Sequence, residues 1–97
     1  MIKKINIAGV NHTIEVCKIP EKGEMGLYVE LDSTIKLSDL ITKDHRRYIL
    51  MHEITHGIEV ATGIDLKESQ VIALSRGLLD TLDRNPEVRK FLFGGNK

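Results

Sequence analysis

Residues 46–63 read RRYILMHEITHGIEVATG, and the fold turns on whether this stretch is a helix. No proline interrupts it. Leu50, Ile54, Ile58 and Ala61 recur at helical spacing and make one apolar stripe. Upstream, Thr42 can cap a helix through its hydroxyl, and Asp44 places a negative charge in the first turn, where the macrodipole favours it. Downstream, Gly63 suits the left-handed position that follows a helix. The pattern predicts a helix that starts after Thr42 and runs to Thr62.

Working outward, Asp65 can cap a second helix that runs to about Leu82, ahead of a break at Pro86. Residues 87–93, EVRKFLF, read as a short helix or tail, and the closing GGNK as a frayed end. The N-terminal third alternates instead with period two. Ile5 and Ile7 sit in one candidate strand, Ile14 and Val16 in the next, with residues 8–11, AGVN, as the turn and Gly9 and Asn11 as its φ > 0 candidates. Residues 20–26, PEKGEMG, read as a loop. Leu27, Val29 and Leu31 then point one way, Asp32-Ser33 interrupts, and Ile35 and Leu37 resume. The expectation is one α+β domain over residues 1–97: residues 1–37 form a small antiparallel or mixed β-sheet, a pair of long helices over 42–83 packs on it as one layer, and 84–97 form a C-terminal segment.

Composition narrows the function. The chain has 97 residues, with 14 Lys plus Arg against 14 Asp plus Glu. A zero formal charge argues against nucleic acid or an acidic membrane as partner, because both select a basic surface. Charged residues at 29% and apolar residues at 41% fit a folded domain. Cys17 is the one cysteine, so neither an internal disulfide nor a Cys-rich zinc site is available. No signal-like apolar run or membrane-spanning stretch is present, and the expected setting is the cytoplasm.

Within the first helix, His52-Glu53-Ile54-Thr55-His56 spells H-E-x-x-H. Imidazoles four residues apart lie about 6 Å apart along a helix and can converge on one ion. Glu53, beside them, is placed to reach a water on that ion rather than the ion itself. The bland alternative is a surface helix with two histidines on its wet face. Against it, Ile49 and Val60 lie near the histidines, so that face is expected to be covered too. Gly57 removes bulk beside His56 and admits another element.

A catalytic zinc site needs a third protein ligand. His45, Glu59, Glu68 and His12 are the candidates. His45 lies about 10 Å along the helix from His52, too far to share an ion. Glu59 is better placed as an acceptor for the His56 ring. Glu68 heads the stripe Val71, Ile72, Ser75, Leu79 and Leu82 on the second helix, where a carboxylate must be paired, capping or coordinating. Its reach requires the two helices to cross at an angle. The competing explanation is that Asp65 and Glu68 form a capping box.

Residues 49–58, ILMHEITHGI, followed by 66–79, LKESQVIALSRGLL, resemble the small zincin-type metallopeptidases of phages and bacterial mobile elements, related to the ImmA/IrrE group of gluzincins. The likeness is close over about 27–80 and loose before that. It implies a minimal zincin-like fold and a bound Zn2+ held by His52, His56 and Glu68. It also implies Glu53 as general base, a protein or peptide substrate, and work as one part of a larger protein, often beside a DNA-binding domain; a partner protein is a further expectation. The non-enzymatic alternative is an accessory or interaction module in which zinc is structural or absent.

In the enzyme reading, residues 33–37, STIKL, form an edge strand that pairs with substrate, and Tyr48 and His45 are the candidates to stabilise an oxyanion, although packing against the sheet is the favoured role for either. Tyr28 is expected to face solvent or another layer, Cys17 to lie on the far face of its strand, and Arg46 and Arg47 to be solvated. Arg84, Arg89 and Lys90, interleaved with Val88, Phe91, Leu92 and Phe93, read as a docking element.

Overall fold

A computed structural model describes residues 3–19 and 23–94, and on these the α+β expectation holds. Four strands, β1 (Lys4–Ile7), β2 (Val10–Cys17), β3 (Gly26–Val29) and β4 (Thr34–Ser38), are followed by α1 (Lys43–Thr62), α2 (Glu68–Arg84) and α3 (Pro86–Phe93). The sheet is mixed, in the order β1-β2-β4-β3. β2 and β4 run parallel, and the two outer pairs are antiparallel.

The β1–β2 turn uses Ala8 (φ 49°) and Gly9 (φ 93°), not Gly9 and Asn11. Two positive φ values suit the right-handed twist of the strands they join. Asn11 lies in β2 and instead accepts from the Asn6 amide at 2.9 Å, while Asn6 Oδ1 accepts from the Gly9 N–H. The loop expected at 20–26 begins outside the described residues.

Two strand expectations are corrected. Residues 34–38 form β4, in the middle of the sheet, so the segment STIKL is not an edge; the edge on that side is β3. The inward face of β3 is also the opposite of the one its leucine and valine pattern implied. Gly26 is buried and Tyr28 packs against the core of Ile7, Ile14, Ile35 and Leu37. Leu31 is 97% exposed in the β3–β4 turn.

α1 begins where Thr42 accepts from the His45 N–H at 3.2 Å, and ends at Gly63 (φ 78°), whose N–H bonds to the Glu59 carbonyl. Its packing explains its composition. The sheet covers one side, and α2 packs on another, so α1 is a middle layer and not half of a single helical layer. The side chains buried along it are those of Glu53 and Thr55, together with Gly57. Ile49, Leu50 and Ile54 are half-buried against the core, whereas Ile58 and Ala61 of the expected stripe are exposed.

Gly57 is required by space. A Cβ there would lie 2.8 Å from Ile7 Cδ1 and 3.4 Å from Tyr28 Cε1, so the sheet comes closest where the helix has no side chain. Asp65 does not cap α2. That helix starts at Glu68, after Lys67, whose N–H donates to Gln70 Oε1 at 2.9 Å.

Val71, Ser75 and Leu79 of α2 are buried, while Ile72 is 41% exposed. Arg47 is exposed, as expected, and it also pairs with Asp83, which ties the first turns of α1 to the end of α2. Arg89 donates to the Leu82 and Asp83 carbonyls and so closes the end of α2, and Arg84 pairs with Asp80. Phe91 (85%) and Phe93 (71%) of α3 stay exposed. No helix among the described residues is long and apolar enough to cross a membrane.

Candidate metal centre

His52 and His56 leave α1 one turn apart, and their Nε2 atoms stand 3.2 Å from each other. Glu68, the first residue of α2, closes the group from the neighbouring helix. Its Oε2 is 3.1 Å from His52 Nε2 and its Oε1 is 3.5 Å from His56 Nε2. The three side chains form one cluster that could hold a metal ion. The capping-box alternative for Glu68 fails, because Asp65 lies outside α2 and Gln70 supplies the side-chain bond at its start.

Glu59 takes the supporting position. Its Oε1 accepts from His56 Nδ1–H at 2.8 Å, and its Oε2 accepts from the Leu66 N–H at 2.8 Å. The first bond fixes the His56 tautomer, so in the neutral ring Nε2 is bare and faces His52 and Glu68. The second ties the α1–α2 loop to the same carboxylate. The Leu66 N–H holds the Glu59 carboxyl below its ordinary range; partial burial opposes this and His56 reinforces it.

Glu53 lies on the sheet side of α1 and is 6% exposed. Its carboxylate accepts no hydrogen bond from the described residues. Burial pushes its carboxyl up to about 7, His56 pulls it down, and Glu68 and Glu24 add to the rise. Gly26 of β3 makes room for it. A Cβ at Gly26 would lie 3.0 Å from Glu53 Oε2 and would collide with the Ile49 side chain. Sequence reasoning placed Gly26 in a loop and missed this role. The available signal was a glycine at the inward parity of a strand, which marks close approach by another element.

The remaining candidates lie elsewhere. His12 is buried, with Nδ1–H donating to the Val10 carbonyl at 2.9 Å and Nε2 accepting from Tyr28 O–H at 2.7 Å. Both ring nitrogens are occupied and His12 is not a ligand. Tyr28 therefore faces the helix layer rather than solvent, and burial raises its hydroxyl pKa, with Glu30 adding to the effect. His45 and Tyr48 line a groove between α1 and α2 with Ile72, Ser75 and Arg76, alongside His52.

A separate cleft of about 620 Å3 opens between β3 and α1 and reaches all three cluster residues, Glu53 and Glu59. The antiparallel alternation explains what its β3 wall offers. The Ser38 N–H bonds to the Met25 carbonyl at 2.8 Å, which sets residues 25, 27 and 29 toward β4 and turns the backbone groups of Gly26 and Tyr28 to the open edge.

No known protein family, no curated protein and no solved structure matches the chain.

Proposed function

We propose that the chain is a zinc-dependent peptidase of minimal zincin-like fold, in keeping with its resemblance to the ImmA/IrrE-related proteins of phages and mobile elements. The observation that carries this reading is the spacing of the three ligand atoms. A tetrahedral zinc bound at about 2.0 to 2.1 Å keeps its ligand atoms about 3.3 Å apart. The two histidine Nε2 atoms are 3.2 Å apart, the two Glu68 oxygens lie 3.1 Å from His52 and 3.5 Å from His56, and one ligand atom from each of the three residues falls within 4.8 Å of the others. The donor set also fits the group chemically. A bare imidazole nitrogen and a carboxylate brought this close need a cation or a proton between them.

When bound, zinc supplies Lewis acidity, polarising a carbonyl and acidifying an attacking water. His52, His56 and Glu68 hold it, and Glu59 orients the His56 ring. Glu53 offers a carboxylate with no competing protein donor among the described residues. It takes the proton of the attacking water and passes it to the nitrogen of the leaving amine. An extended peptide adds to the open edge of β3, with the backbone groups of Gly26 and Tyr28 as partners.

Zinc content by elemental analysis, on wild type and Glu68→Ala, tests the ligand set. One zinc per chain is expected in the first and a large loss in the second. Hydrolysis of a peptide library then tests the chemistry: Glu53→Gln should keep zinc and abolish cleavage. A second reading has its own support, because the ligands bridge α1 and α2 and zinc would clamp the helices whether or not it catalyses. Zinc-raised melting with no cleavage of any peptide would favour that accessory-module reading over the enzyme.

A further inference from the structure

The charged lining of the cleft is acidic apart from its two histidines. Glu24, Glu30, Glu53, Glu59, Asp65 and Glu68 all face it, and among the described residues no Lys or Arg does. The chain as a whole carries zero formal charge, so this is segregation and not composition. A divalent ion would offset only part of that negative charge.

Three of the six already have tasks. Glu59 anchors His56 and the Leu66 N–H, Glu68 sits on the histidine pair, and Glu53 stands beside them. Glu24, Glu30 and Asp65 have neither an ion pair nor a side-chain hydrogen bond among the described residues, and all three are exposed. Like charges gathered without partners oppose folding, and a cationic ligand relieves that cost. A second observation points the same way: Glu53, 6% exposed, faces the cleft without a hydrogen-bond partner among the described residues.

We infer that this cleft selects peptide segments bearing Lys or Arg side chains, with Glu24 and Glu30 at the two ends of β3 and Asp65 of the α1–α2 loop as the selecting residues. The inference rests on the cleft being the peptide site of the proposed hydrolase. Glu24 and Glu30 are six residues apart, about 20 Å in extended chain. A peptide laid along β3 meets one carboxylate beyond each end of the strand.

The test is binding, read separately from turnover. Matched fluorescent peptides, one rich in Lys and one in Glu, are titrated by anisotropy into zinc-free wild type and zinc-loaded Glu53→Gln protein at low ionic strength. The Lys peptide should bind about tenfold more tightly or better, and added salt should shrink the difference. The triple variant Glu24→Gln, Glu30→Gln, Asp65→Asn should lose most of the preference. Each single substitution should lose part of it, which guards against a triple variant that folds poorly. Glu15→Gln, on an exposed position of β2, should keep it.

Equal affinities, binding of neither peptide, or a preference that survives the triple variant would overturn the inference. Charge-selective binding without cleavage of any peptide would sink the hydrolase alone. Cleavage indifferent to peptide charge would sink this inference alone.

Discussion

Replacing Glu53 with Gln should stabilise the metal-free protein at pH 8 and leave it unchanged at pH 4. The carboxyl is raised from an ordinary 4.5 to about 7, chiefly by burial. The folded state therefore holds its proton more tightly than the unfolded chain does. That contribution is fully present below about pH 4.5 and is lost as pH rises through about 7. The full difference corresponds to roughly 3 kcal/mol as an upper bound. Water entering from the cleft lowers it, so about 2 kcal/mol is the expected size. In a domain of this length that is a shift in melting temperature of about 10 °C.

Glutamine keeps the shape and drops the charge, so its stability should not fall across this window. Urea unfolding of both proteins in chelator, from pH 4 to pH 8.5, reads the effect directly. The two curves should meet at low pH, diverge between about 4.5 and 7, and then run level. All other titrating groups are common to both proteins and cancel in the difference. A gap that is constant at every pH, or a Gln variant less stable at pH 8, would refute the burial argument. Saturating zinc should narrow the gap, because a nearby cation favours the ionised carboxyl.

Glu59→Ala should weaken zinc binding by about 10- to 100-fold through loss of the His56 acceptor, measured by chelator competition. It should also cost about 1 kcal/mol of stability as the Leu66 N–H loses its partner. Gly57→Ala and Gly26→Ala should each cost about 1 to 3 kcal/mol by overpacking the contact between sheet and α1, seen as a lower urea midpoint. Gly26→Ala, which presses on Glu53, should also reduce any peptidase activity more than Gly57→Ala does.

The ends of α1 were legible because local chemistry fixes them: a threonine hydroxyl at one terminus and a glycine with positive φ at the other. His52, His56 and Gly57 were legible from spacing alone. The inward face of β3 was not. Counting apolar side chains favours Leu27 and Val29, but the decisive requirement was room for Ile49 and Glu53, and Gly26 answers it by having no side chain. The stripe Leu50, Ile54, Ile58, Ala61 misled for a related reason. A helix covered on two sides need not gather its apolar residues on one. Glu68 was a candidate from sequence, yet its reach depends on the crossing of two helices, which no local pattern encodes. The start of α2 was misplaced because Gln70 takes the Lys67 N–H that an Asp65 cap would need, and Glu59, one helix earlier, holds the Leu66 N–H in the loop.

Because α2 meets the rest of the molecule chiefly through α1, the fold has a seam, and the candidate metal ligands lie across one end of it. At the other end the Arg47–Asp83 pair is exposed to salt. Between them only Val71, Ser75 and Leu79 are fully inserted. A chain fastened this way will come apart along that line first, with the sheet and α1 staying together while the C-terminal helices swing free. Loading the metal would then act as a latch, making the association of the helical arm depend on the ion that the same residues are placed to use.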